Sequence, residues 1–249
     1  MPAFCLYNLT NQLIKIMPSV TAKSRLGSRR RPVESRAAIL RAAVREFAQE
    51  GIAGARTDAI AKAAGVNKAL LYYYFEDKEA LYGAVLDQVF RGLLENVLPV
   101  FARDLTSGQE ILTYVGVHFD YIASHPLYPR IVQGEMMRVS RGKVGQIQRV
   151  SKEYFHPLFS RIENTLKQGI ASGEFRAVHV QHFIQSMGSV IVSYFNSAPV
   201  MKLMTGIDPM TPERISERRA AVLDFISAAL FQKPLNPRAT SSKLQGACK

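Results

Sequence analysis

Tryptophan is absent from the 249 residues, and cysteine occurs only as Cys5 and Cys248, one near each end. Two thiols so placed make neither a metal-type spacing nor a disulfide framework, and they read as free thiols suited to a reducing compartment such as the cytoplasm. No apolar run approaches the ~20 residues that a membrane helix needs, so no membrane partner is expected. The first stretch, MPAFCLYNLTNQLIKIMPSV, lacks an early basic region and is broken by Asn8, Asn11 and Gln12. That is a poor export signal, and Met17 offers an alternative start. Enzyme signatures are missing too: no GxGxxG, Walker loop, HExxH or GxSxG. His179 and His182 stand at a spacing that can bind metal, but no carboxylate pattern supports them. The chain therefore does not read as an enzyme, and no cofactor is expected.

What is abundant is positive charge, and its placement is uneven. Of a formal +12, residues 1–32 carry +6 and residues 233–249 carry +4, neither with an acidic side chain, leaving +2 for the body between. Basic ends on a near-neutral body suit a polyanion partner. Helical periodicity dominates that body, and strand signals are scarce. Apolar residues from Ile39 to Phe47 form one face of a first helix over 33–50, which Gly51 stops. A short helix over 57–64 follows, with Thr57 as its expected cap. Gly65 then breaks the chain, and Asn67 caps a second short helix running to about Phe75. Asp77 begins a longer helix that Pro99 interrupts, and further helices are expected near 108–124, 126–139, 145–172, 178–203 and 211–231.

Two short helices around a glycine turn make a helix-turn-helix pattern. Its second helix carries four adjacent rings, Tyr72, Tyr73, Tyr74 and Phe75. With Leu71 at the reference direction and about 100° per residue, Phe75 falls close to Leu71 and Tyr73 nearly opposite. Leu71 and Phe75 are thus the expected buried seam, Tyr73 and Ala69 point outward, and Tyr72 and Tyr74 flank the seam. A phenol there buries its ring edge and offers its hydroxyl at the rim. In a major groove the rims are phosphate backbones and the outward face meets base edges. Lys68 lies in the first turn of this helix, and Lys78 at the start of the next, where helix amides also favour an anion. The competing reading is a tyrosine cluster used for packing or for a protein–protein contact.

Residues 33–82 resemble the DNA-binding region of the TetR family of bacterial transcriptional regulators, most specifically in IAKAAGV (Ile60–Val66) and LYYYFEDKEAL (Leu71–Leu81). The resemblance implies an all-α fold: a three-helix helix-turn-helix DNA-binding domain over 33–80, then a larger helical ligand-binding and dimerisation domain over 81–232. Residues 1–32 are a basic arm and 233–249 a basic tail in this scheme, both expected to be disordered. It implies that Thr57 lies near a phosphate and that Asn67, Lys68, Ala69 and Leu70 face bases or adjacent phosphates. Tyr72, Tyr73 and Tyr74 fall on the family's aromatic contact positions, and Lys78 on its phosphate-binding lysine. Arg56 departs from the family pattern, which often has a small hydroxyl residue there. By analogy with arms that enter the minor groove, Arg29, Arg30 and Arg31 are further DNA candidates.

One recognition helix reads few base pairs, so a homodimer on a palindromic double-stranded operator is expected, its two helices about 34–36 Å apart. The last two long helices, bearing Phe183, Met187, Val190, Ile191, Tyr194 and Phe195, and Ala221, Leu223, Phe225, Ile226, Ala229 and Leu230, are the expected dimer surface. The resemblance also implies a small-molecule effector whose binding releases the operator from a repressor. Candidate lining residues are Phe90, Leu94, Tyr114, Phe119, Tyr121, Met136, Met137, Tyr154, Phe155 and Phe159, with His118 and Glu135 as weaker polar candidates. At helical spacing most of these also suit plain core.

Overall fold

The computed structural model describes residues 32–142 and 144–231. The expectations placed on the arm, on Cys5 and Cys248, on Met17 and on the C-terminal tail lie outside them. The chain forms α1 (Pro32–Gly54), α2 (Thr57–Ala64), α3 (Lys68–Tyr74), α4 (Lys78–Val97), α5 (Ser107–Ser124), α6 (Tyr128–Ser140), α7 (Gly145–Val150), α8 (His156–Ala171), α9 (Val180–Thr205) and α10 (Pro212–Leu230). The fold is all-α. Among the described residues the β pairing is one isolated bridge between Phe175 and Phe231.

Local chemistry sets the joins. α1 breaks at Gly51, whose φ of 62° and ψ of 172° suit glycine and strain other residues. α2 ends on Gly65 in the left-handed region, φ 68°, where its N–H reaches back to the Ala61 and Lys62 carbonyls. Asn67 accepts the Leu70 N–H at 2.7 Å and Asp77 accepts the Ala80 N–H at 2.7 Å, so each of α3 and α4 starts on a side-chain cap. Pro99 sits in a 3-10 segment, Leu98–Ala102, beyond the end of α4. Thr106 and Gln109 close α5 with a reciprocal capping box. The region read as one helix over 145–172 is α7 and α8 joined by a π-helical turn, Ser151–Phe155.

One cap differs from expectation. The cap residue of α2 is Arg56, in extended conformation at φ −113° and ψ 123°, and it makes no side-chain cap bond. Thr57 is already helical, so its hydroxyl faces elsewhere.

Packing joins the short helices to the rest. α1 lies against α2, α4 and α6, so the helix-turn-helix unit meets the remainder of the chain along α1 and α4. Ile39, Ala43, Phe47, Ile60, Ala61, Leu71, Phe75, Leu81 and Tyr82 are buried in one seam. At the far end, Gly169 lets the Phe175 ring approach so closely that a Cβ there would lie 2.1 Å from it. Phe175 then packs edge-on against Phe231, closing α8 onto the end of α10.

Candidate nucleic-acid interface

α3 is amphipathic in the sense its sequence dictates. Leu71 and Phe75 are buried, and the Arg36 guanidinium of α1 lies 5.1 Å from the Phe75 ring centroid and covers the seam from outside. Tyr73 is 80% exposed on the opposite side, its ring edge against Tyr74 at 5.3 Å. Ala69 is exposed beside it, while Leu70 and Tyr74 are half-buried.

The remaining candidates are engaged within the protein. The Tyr72 hydroxyl lies 3.2 Å from Thr57 Oγ1, a hydrogen bond that ties α3 to the first turn of α2. Lys68 Nζ pairs with Asp58 Oδ1 at 2.9 Å, and its hydrogen bond with that carboxylate holds the ammonium above the usual lysine range. Lys78 Nζ donates to the Ala55 carbonyl at 3.0 Å and to that of Ala53 at 3.4 Å. Two of its three donors are thus spent where α1 hands over to α2, leaving one for a phosphate. Asn67 spends its side-chain oxygen on the cap, leaving its amide N–H groups outward. The Arg56 backbone N–H donates to Glu46 at 3.0 Å.

Asp58 and Glu46 escaped the sequence reading. Their partners are ten residues apart along the chain, across a turn, where helical periodicity carries no signal. The available hint for Asp58 is that no other acidic residue occurs in the sequence between Glu50 and Glu76.

The arrangement is a capped, packed helix presenting one free phenol and two lysines held at fixed points, on a unit of the size that enters a major groove. Known proteins agree. The family described as "Bacterial regulatory proteins, tetR family" matches residues 39–85, and "Tetracyclin repressor-like, C-terminal domain" matches residues 109–226. The HTH-type transcriptional regulator RutR of Escherichia coli K12 is 31% identical over 181 residues, 72% of this chain and 83% of RutR. The chain belongs to the TetR family. It is a DNA-binding transcriptional regulator, with the reading unit in the N-terminal match. The HTH-type transcriptional repressor SCO4008 of Streptomyces coelicolor is 40% identical over 108 residues, 43% of this chain and 53% of that protein. The solved ketosteroid transcriptional regulator KstR2 of Mycobacterium tuberculosis shares the fold, with a TM-score of 0.65 over 86% of this chain and 98% of its own at 17% identity.

The TetR-type C-terminal region buries most of the expected effector residues. Tyr114 donates to or accepts from His118 Nδ1 at 3.0 Å, and burial lowers the His118 pKa to about 4, so the imidazole is neutral. His118 Nε2 has no partner. The Tyr121 hydroxyl donates to the Val89 carbonyl at 3.2 Å, and that of Tyr154 donates to Asp87 at 3.0 Å. Phe155 packs edge-on to the buried Phe90 at 5.0 Å, and Leu94 is half-buried. Met137 does not join them. It is 52% exposed and lies with Phe47, Ile52 and Tyr82 along an outer groove between α1 and α6. α6 turns Ile131 and Glu135 inward, and two residues past Glu135 the helix faces nearly the opposite way. Met136 of α6 and Phe159 of α8 are exposed as well.

Two further features stand out in this region. A cleft of about 730 Å³ lies between α1, α4 and the α5–α6 turn, sharing only Tyr121 with the expected lining set. Glu135 is almost wholly buried, and burial raises its pKa. Arg138 sits 3.3 Å from it, reaches Glu79 on α4 at 3.0 Å, and lies over the Tyr82 ring. His179, once a metal candidate, is the N-cap of α9; no group of three metal-ligating side chains occurs among the described residues. Among those residues no helix is long and apolar enough to cross a membrane.

Proposed function

We propose that this regulator acts as a homodimeric repressor in the cytoplasm, binding a palindromic operator and leaving it when a small molecule occupies the helical region beyond α4. The observation that carries the reading is Tyr73, exposed on the face of α3 opposite a fully buried Leu71. That polarity frees one side of a short helix, capped at its start by Asn67, to enter a groove. Lys68, Ala69 and Tyr73 meet base edges, Thr57, Tyr72, Tyr74, Asn67 and the third donor of Lys78 lie toward phosphates, and Leu70 offers its methyl groups.

Dimerisation uses α9 and α10, on a face shifted from the expected one. Met187, Ile191, Phe195, Val222, Ile226 and Leu230 are buried inside the chain. The apolar surface that remains outside is Val200, Met201, Leu203, Met204 and Ile207 with Phe225 of α10. An apolar set of this kind, rimmed by polar residues, suits a subunit contact. An effector acts by binding the non-reading state more tightly than the reading state, and by no other route. The buried Tyr114–His118 pair with its unpartnered Nε2 offers such an effector a polar anchor in an apolar surround.

Fluorescence anisotropy against duplexes selected from a random pool tests the whole reading. One dimer per inverted repeat is expected, with affinity falling steeply as salt rises. Binding that is absent, or equally tight for every sequence, overturns it.

A further inference from the structure

The Asp58–Lys68 ion pair joins the first turn of α2 to the first residue of α3, with Oδ1 and Nζ 2.9 Å apart. The two side chains are 58% and 49% exposed. An ion pair so open to water adds little to stability, so holding the helices together does not account for it. A carboxylate beside the reading helix also opposes attraction to phosphates, a cost to a protein that must approach a polyanion. The pair does have one property that a lone lysine lacks. It presents a donor and an acceptor side by side, at a separation fixed by their own hydrogen bond.

A G·C pair presents the complement of that arrangement in the major groove. Guanine offers O6 and N7 as adjacent acceptors, and cytosine offers an N4–H donor. O6 and N4 are hydrogen-bonded to each other, so they too stand about 2.9 Å apart. An A·T pair also shows a donor beside an acceptor, but thymine O4 has a methyl group next to it where guanine has a second acceptor. An ammonium with several donors favours the guanine edge.

We propose that Asp58 and Lys68 read one G·C pair in each half-site as a unit, a step that rests on the DNA-reading function proposed above. Lys68 Nζ donates to guanine O6 and N7, and Asp58 accepts from cytosine N4–H. The unit carries no net charge, so it adds sequence preference without adding salt-dependent attraction. Asp58 also holds the lysine where the base pair will be, which keeps it from the phosphates.

The test is selection from a random duplex pool with the intact chain, Asp58→Ala, Lys68→Gln and the double variant, each checked for unchanged helicity. The intact chain is expected to fix a G·C pair at one position of each half-site. Either single variant should relax that position alone, with discrimination there falling about tenfold or more. Replacing the guanine by 7-deazaguanine should weaken the intact chain but not Lys68→Gln. The double variant should keep the salt slope of the intact chain. The inference is overturned if Asp58→Ala selects the same motif as the intact chain. It is also overturned if that variant binds all sequences more tightly, with a salt slope steeper by about one; the carboxylate would then only mute a phosphate-seeking lysine. In both cases the regulator reading stands. An intact chain that enriches no motif removes that reading and this inference together.

Discussion

The reading unit and the helical region beyond it solve opposite problems with their polar groups. In the unit, exposed polar side chains are tied to one another: Lys68 to Asp58, Tyr72 to Thr57, Lys78 to two carbonyls. Tyr73 alone among the candidate aromatics stands well clear of the surface. Beyond α4 such pairs recur, as in Arg219–Asp120 and Lys202–Asp208, but two other features appear. His118 is buried with a ring nitrogen that lacks a hydrogen bond, while large apolar side chains on α9 stand in water. A surface meant for one ordered, highly charged partner gains from groups held in place before contact. Under the proposed function, such unmet interactions are what a ligand or a second subunit would satisfy.

The largest effect that would break this contrast is expected at Leu71. Leu71→Ala opens a cavity under α3 and should cost about 2–5 kcal/mol in urea unfolding, with DNA binding lost alongside. A smaller loss would mean that the seam is less rigid than its burial implies. His118 tests the other region through pH. Its pKa is lowered from 6.5 to about 4 in the folded chain, so the unfolded chain takes up a proton first as the solution is acidified. Stability from this group is full above pH 6.5, falls between there and about pH 4, and the total loss is on the order of 3 kcal/mol. His118→Gln should flatten that part of the unfolding profile; an unchanged profile would show that the imidazole is wetter than it looks.

Leu203→Glu with Met204→Glu should shift sedimentation from dimer to monomer by more than tenfold in the dissociation constant, without lowering helicity, since both side chains are outside. Tyr73→Ala should leave thermal unfolding unchanged and weaken selected operator DNA about tenfold, roughly 1–2 kcal/mol. Thr57→Val, which removes the bond to Tyr72, is the mildest. A few tenths of a kcal/mol in unfolding is expected for an exposed hydrogen bond, with the aromatic signal of Tyr72 altered.

The reading unit was the more legible part because its determinants are local. Asn67, Asp77, Gly51 and Gly65 act on chain within a few residues of themselves, and the angular positions of Leu71, Phe75 and Tyr73 follow from helix geometry alone. Thr57 misled because a capping residue is defined by its backbone, and the extended position fell one residue earlier, on Arg56. The Asp58–Lys68 pair depends on the angle between two helices, which no spacing encodes. For α9 and α10 the sequence marks apolar positions but not which of them meet their own chain. The outward set on α9 lies beyond Pro199, past the part of the helix that carries Met187, Ile191 and Phe195 inward. Met137 was misplaced for a similar reason: α6 has apolar residues on more than one face.

Arg138 has a mechanical consequence. One guanidinium grips Glu79 at the entrance of α4, neighbours the sunken Glu135 of its own helix, and roofs the Tyr82 ring. α6 and the root of α4 thereby share one side chain, and any displacement between them has to stretch or exchange its contacts.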